Sequence, residues 1–126
     1  MEGQLGHITI HAGWKGIRDK IVEQELVKKI KPNFAFIGPH IRVQNYEVQQ
    51  DFINQFPDTS SIIAIGSKSY FNLANEISLQ LKKNYPNITI DDCRLCTFDD
   101  RNFHSYRRNK TNNRNYNIYF PNGENQ

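Results

Sequence analysis

Apolar positions in this chain switch repeatedly between a spacing of two and a spacing of four, and each switch marks a predicted element. Residues 7–11, His-Ile-Thr-Ile-His, alternate and are rich in β-branched side chains, which predicts a strand. A turn from Gly13 to Gly16 comes after it. Val22, Leu26 and Ile30 then recur at helical spacing, with Lys28, Lys29 and Lys31 near the end where the helix dipole favours cations. Pro32 stops that helix. Residues 34–38, Phe-Ala-Phe-Ile-Gly, form a short apolar run closed by Gly-Pro and predict a buried strand leading into a loop. Val48, Phe52 and Phe56 mark a second helix ended by Pro57. Residues 61–65 predict a strand up to Gly66, and Tyr70, Leu73, Ile77 and Leu81 mark a third helix ended by Pro86. Residues 88–90 start another strand, and the alternating Tyr-Asn-Ile-Tyr-Phe at 116–120 predicts a last one. The order β-α-β-α-β-α-β-β calls for layered helices and strands around one core.

Length and composition narrow the class. A chain of 126 residues is one domain's worth. With 37% hydrophobic and 23% charged residues it is a globular protein and not a disordered one. No apolar run approaches the roughly 18 residues that a membrane helix needs, and no basic region followed by an apolar stretch marks a secretory signal. Two cysteines without export point to a reducing, cytoplasmic setting. The net charge of +3 permits anionic ligands without demanding nucleic acid.

Four stretches in order carry a resemblance. They are His-Ala-Gly-Trp-Lys-Gly at 11–16, Ile-Gly-Pro-His-Ile with Tyr-Glu-Val between 37 and 48, Cys-Thr-Phe at 96–98, and Phe-His-Ser-Tyr-Arg-Arg at 103–108. Together they resemble the C-terminal half of the laccase-domain family, whose members are variously named polyphenol oxidases, multicopper oxidase-like proteins and purine nucleoside phosphorylases. The resemblance implies an α+β fold, part of a layered α/β/β/α sandwich with mixed sheets and three helices on the sheet face. It covers nearly the whole chain, so residues 1–120 are read as the C-terminal half of a laccase-like domain and 121–126 as a disordered tail. His11 is expected at a strand end beside the Gly38-Pro39 loop.

The departures from the family pattern bear on the site. Lys15 stands where arginine is usual, keeping the charge but losing the two-pronged fork. Arg42 replaces a glycine and His104 a phenylalanine. In the family a metal is held by three residues, of which the first histidine and a cysteine come from upstream motifs that this sequence lacks. Only His11 matches a ligand. The chain is therefore read as a truncated family member, a split gene product or a remnant, with apolar strand faces left uncovered or covered by an oligomer.

Each candidate also has a plainer reading. Cys93 and Cys96 form a C-x-x-C pair, but no second pair or histidine motif completes a structural zinc site, so Cys96 is expected to pack. The basic run from Arg107 to Arg114 has the look of a solvated loop, with Arg107 or Arg108 free to contact phosphate or to form an ion pair. His40 reads as a loop residue, His7 as a neighbour on the same strand face as His11, and Trp14 as packing.

The resemblance implies a metal-dependent purine nucleoside enzyme. Its reactions are phosphorolysis of adenosine, inosine, guanosine or methylthioadenosine, and deamination of adenosine. His11 would hold the metal, zinc with copper as the alternative, and Lys15, Arg107 and Arg108 would bind phosphate. Copper oxidase chemistry needs several histidine-rich sites, which the four histidines of this sequence cannot build. With one ligand, the chain alone is expected to bind metal weakly and to be inactive without an N-terminal half or a second copy. A membrane partner is excluded. Binding of nucleic acid through the basic loop, with Tyr106 and Tyr116 stacking on bases, ranks last.

Overall fold

The computed structural model describes residues 1–119. Phe120 and the tail expected at 121–126 lie outside the described residues. Seven strands are present there: β1 (Glu2–Gly3), β2 (Gly6–His7), β3 (Pro32–Ile37), β4 (Glu47–Val48), β5 (Ile62–Ile65), β6 (Lys68–Phe71) and β7 (Thr89–Asp92). They make two sheets. The first, in the order β2-β1-β3-β7, is mixed: β1 runs antiparallel to both β2 and β3, and β3 runs parallel to β7. The second, β4-β6-β5, is wholly antiparallel. Two sheets with helices between and around them make an α+β fold, as the resemblance implied.

The helices are α1 (Trp14–Arg18), α2 (Glu25–Lys29), α3 (Gln50–Ile53), α4 (Leu73–Asn84) and α5 (Tyr106–Asn109). Only α4 is long. Asn72 starts it by accepting the Asn75 N–H at 3.0 Å through its side chain, and Lys82 and Lys83 sit in its last turn. Its inner face presents Leu73, Ile77 and Leu81, the four-residue spacing read from the sequence. Ile77 packs against both core clusters. One cluster gathers Ile17, Tyr46, Val48, Phe56 and Phe71, and the other Val22, Ala35, Leu81 and Ile88. Helix α4 thus joins the two sheets.

Several expectations are corrected. The strand at 7–11 is only Gly6–His7 plus an exchange between Ile8 and Met1, after which the chain leaves the sheet. No partner strand runs beside residues 9–11 among the described residues, so alternation alone does not build a ladder. The helix at 22–30 is broken: Lys20 adopts φ 57°, a 3₁₀ turn covers Ile21–Glu23, and α2 starts after Gln24. Val27 is buried there instead of Leu26, which is 65% exposed. Val48 belongs to β4 and Phe56 comes after α3, so the second helix is a single turn. Tyr70 lies in β6, paired with Ile63 across a hairpin turned at Gly66 and Ser67. The described helices number five rather than three. Residues 116–119 make no ladder.

Candidate functional site

Helix α1 is anchored through Ile17. That side chain is fully buried, and its carbonyl accepts the Gln80 Nε2 donor of α4 at 2.8 Å, so the short helix cannot swing. Gly13 occupies the position just before the helix in an extended conformation and carries no capping side chain. Its lack of a side chain makes room for His11, since a Cβ there would stand 3.2 Å from His11 Nε2. His11 is therefore exposed on a fixed turn, with its imidazole folded over Gly13.

That turn opens onto a cleft of about 770 Å³, lined by His11, Ala12 and Trp14, by Gly38, Pro39 and His40, by Tyr46 and by residues 115–119. The size lies within the roughly 300–1,000 Å³ of small-molecule sites. The Gly-Pro loop leaves the carboxyl end of β3, beside that of its parallel partner β7, where open α/β-type sheets place ligands. His11 and the Gly38-Pro39 loop line this one cleft, but His11 stands four residues beyond β2 and not at a strand end as expected. A smaller hollow of about 250 Å³ between Lys28 and Ile88 has no histidine or cysteine in its wall.

His40 faces the cleft but both ring nitrogens are engaged. Nδ1 lies 2.9 Å from Gly38 O and Nε2 lies 3.1 Å from Arg42 Nη1. A guanidinium is only a donor, so Nε2 accepts and Nδ1 carries the proton that Gly38 O receives. Burial lowers the imidazole pKa, with the Arg42 charge acting the same way and the Gly38 bond against it. Arg42 Nη1 also donates to Asp92 Oδ1 at 2.8 Å. This three-residue link was not foreseen. Its one visible signal was that Arg42 stands where the family pattern has glycine.

Cations sit on the aromatic wall. Lys15 Nζ lies 5.6 Å and Arg18 Cζ 5.4 Å from the Trp14 ring centre. Arg107 Cζ lies 4.7 Å from the Tyr46 ring centre, and its Nη1 donates to Glu47 O at 2.9 Å. Burial pushes the Tyr46 phenol up, against the pull of the Arg107 charge. Trp14 and Tyr46 both line the cleft, so Lys15 and Arg107 each stand one ring from it. Arg108 faces elsewhere. Its Nη1 donates to Thr97 O at 2.9 Å and Phe98 O at 3.0 Å, more distantly to Asp100 O at 3.4 Å, and its Nη2 to Phe103 O at 2.7 Å. The adjacent Arg107 and Arg108 thus differ: Arg107 lies on the ring of the cleft residue Tyr46, and Arg108 ties backbone carbonyls of one loop together without forming an ion pair among the described residues.

Cys93 and Cys96 are free thiols. Cys96 is buried, and its Sγ accepts from the Arg42 N–H and from Asn45 Nδ2, each at 3.4 Å. It packs, as expected. The backbone of His104 is bonded to the Asn115 side chain, and Arg114 Nη1 turns back onto Asn112 O and Asn113 O at 3.0 and 3.2 Å. Among the described residues no three side chains of His, Cys, Asp or Glu gather as a metal cage. No described helix is long and apolar enough to cross a membrane.

Residues 6–118 match the family described as multi-copper polyphenol oxidoreductase laccase. Over 122 aligned residues the chain is 31% identical to a purine nucleoside phosphorylase of Campylobacter jejuni, covering 84% of this chain and 49% of the relative. Over 112 residues it is 30% identical to a purine nucleoside phosphorylase of Clostridium acetobutylicum, covering 79% and 47%. The chain spans about half the length of the curated relatives it matches. Its fold is similar to the crystal structure of a Neisseria meningitidis protein of family DUF152, with a TM-score of 0.68 at 29% identity, covering 79% of this chain and 45% of that one.

Proposed function

The chain belongs to the multi-copper polyphenol oxidoreductase laccase family, and from that premise we propose that it carries the histidine-bearing side of a metal-dependent purine nucleoside phosphorylase site. The observation that carries the reading is the shared cleft, which brings His11, Trp14 and the Gly38-Pro39 loop into one wall with cations on its rings. The names of the two curated relatives support the substrate class.

In phosphorolysis a phosphate oxygen attacks C1′ of the ribose and the bond from C1′ to the purine nitrogen breaks. The base leaves with the electron pair and takes up a proton, and ribose 1-phosphate remains. The demand on the protein is to hold an anion against the sugar and a flat base nearby. Lys15 and Arg107 supply positive charge, and Trp14 and Tyr46 supply aromatic surface.

His11 is the imidazole offered to a metal. A catalytic zinc takes three protein ligands, and the described residues do not fit that requirement alone, because His40 and Cys96 are already engaged. The chain by itself therefore binds zinc or copper weakly and lacks turnover until further donors reach His11, from a separate N-terminal half or from a second copy. Free thiols at Cys93 and Cys96 agree with a cytoplasmic location. Nucleic-acid binding gains no support from a basic loop in which Arg108 and Arg114 are turned onto backbone carbonyls.

Calorimetric titration with inorganic phosphate tests the anion assignment. Lys15→Ala and Arg107→Ala should each weaken binding about five- to tenfold, about 1–1.4 kcal/mol. Unchanged affinity in both variants would remove the assignment.

A further inference from the structure

We infer that residues 115–119 form a displaceable strap across the His11 cleft, and that entry of a nucleoside-sized ligand depends on whether the strap is seated. The segment lines the same cavity as His11 and the Gly-Pro loop, so its position sets how much of that cavity is open. It is fastened by side chains at two points. At one end Asn115 Nδ2 donates to His104 O and Asn115 Oδ1 accepts the His104 N–H, both at 2.8 Å. At the other the Tyr119 hydroxyl donates to the Glu2 carboxylate, and the Tyr119 ring centre lies 4.8 Å from that of His7. Between the two latches Asn117 passes the Gly-Pro loop, its Oδ1 3.8 Å from where a Cβ on Gly38 would stand.

Little else holds the segment. Among the described residues no backbone-to-backbone hydrogen bond joins 111–119 to the rest of the chain. Tyr116 and Ile118 alternate as they would in a strand, yet they are 89% and 74% exposed. A segment without a ladder and with few buried apolar contacts belongs to the part of a protein that opens at low cost. Both latches are exposed to solvent, where water replaces each hydrogen bond readily. The two fastenings tie the strap to Glu2 and His7 at the first hairpin and to His104 before α5, none of them a member of either core cluster. The ligand class rests on the phosphorylase reading; the strap itself does not.

The experiment compares the parent chain with an Asn115→Ala, Tyr119→Phe double variant. It reads binding of the apolar dye anilinonaphthalene sulfonate, with circular dichroism as the control for folding. Releasing the strap should raise dye affinity about tenfold, with the circular dichroism unchanged. Dye affinity equal to the parent's would overturn the proposal. Tyr119→Phe alone, which removes a single exposed hydroxyl, repeats the comparison should the double variant lose its fold. The readout involves neither phosphate nor inosine, so a failed phosphorylase assay leaves the strap standing, and a failed strap leaves the phosphorylase reading standing.

Discussion

Arg42 sets its Nη1 2.8 Å from Asp92 Oδ1, tying the loop after β3 to the last residue of β7. Both side chains are about one-fifth exposed, enough shelter for a charged hydrogen bond to hold against water. Arg42→Ala leaves Asp92 with the Arg94 N–H as its remaining partner and His40 Nε2 without a donor. The cost should be about 2 kcal/mol, in the range of a hydrogen bond to a charged group. Urea unfolding checks it, as a lowered midpoint at unchanged slope.

Two groups in this link give stability a dependence on pH. Burial lowers the His40 pKa, so the unfolded chain takes up that proton first. The stability His40 contributes is complete above its unfolded value of about 6.5 and falls as pH drops towards the folded one. Burial acts to raise the Asp92 pKa, but the Arg42 and Arg94 bonds and the Arg42 charge outweigh it and hold it below the usual carboxylate value. The Asp92 contribution is present above about pH 3.9 and is lost as pH falls through the lowered folded value. Unfolding followed from neutral pH downward should therefore decline in two stages, and His40→Gln should remove the upper one. A His40→Gln profile identical to the parent's would contradict this.

Arg107 and Arg108 should separate cleanly. Arg108→Ala leaves the carbonyls of Thr97, Phe98 and Phe103 without their shared donor and should cost about 2 kcal/mol. Hydrogen exchange should quicken across residues 97–103 in that variant. Arg107→Ala, with its side chain on the Tyr46 ring, should leave that exchange unchanged. Equal effects of the two substitutions on the loop would show that the division of roles is wrong.

Phe71 is the test of the core. It is fully buried, with ring centres of Phe52 and Phe56 at 5.0 Å and Tyr46 at 5.4 Å. Phe71→Ala opens a cavity among these rings and should destabilise by about 3–5 kcal/mol. Phe71→Leu, which keeps most of the volume, should cost less than half as much. Chemical denaturation of both variants reads the difference.

What the sequence revealed and what it hid have physical causes. The helix at 73–84 was legible because Leu73, Ile77 and Leu81 keep one spacing and Pro86 marks its end, and the strand at 34–37 because four apolar residues run up to Gly-Pro, although Phe36 is 56% exposed and not buried as expected. Leu26 misled because a left-handed Lys20 resets the phase before α2, and a four-residue repeat cannot register a break in the backbone. The hairpin at Gly66 and Ser67 had its own signal, a two-residue Gly-Ser turn between alternating segments, but Tyr70 also fitted the helical spacing of Leu73 and Ile77. Tyr116 and Ile118 alternate without a partner strand, and partners are a property of the fold. At the site, His11 and the Gly-Pro loop were readable from local motifs. The Arg42–Asp92 pair was not, since fifty positions separate its members.

Phosphate-dependent release of hypoxanthine from inosine is the decisive assay for a phosphorylase site completed from outside this chain. It is followed with this chain alone, with added zinc, and with a polypeptide carrying the part of the Campylobacter jejuni relative that this chain does not cover. No release is expected from the chain alone, with or without zinc, and release on mixing should be abolished by His11→Ala. Release that proceeds equally well in the His11→Ala variant would contradict the assignment of His11 to the metal.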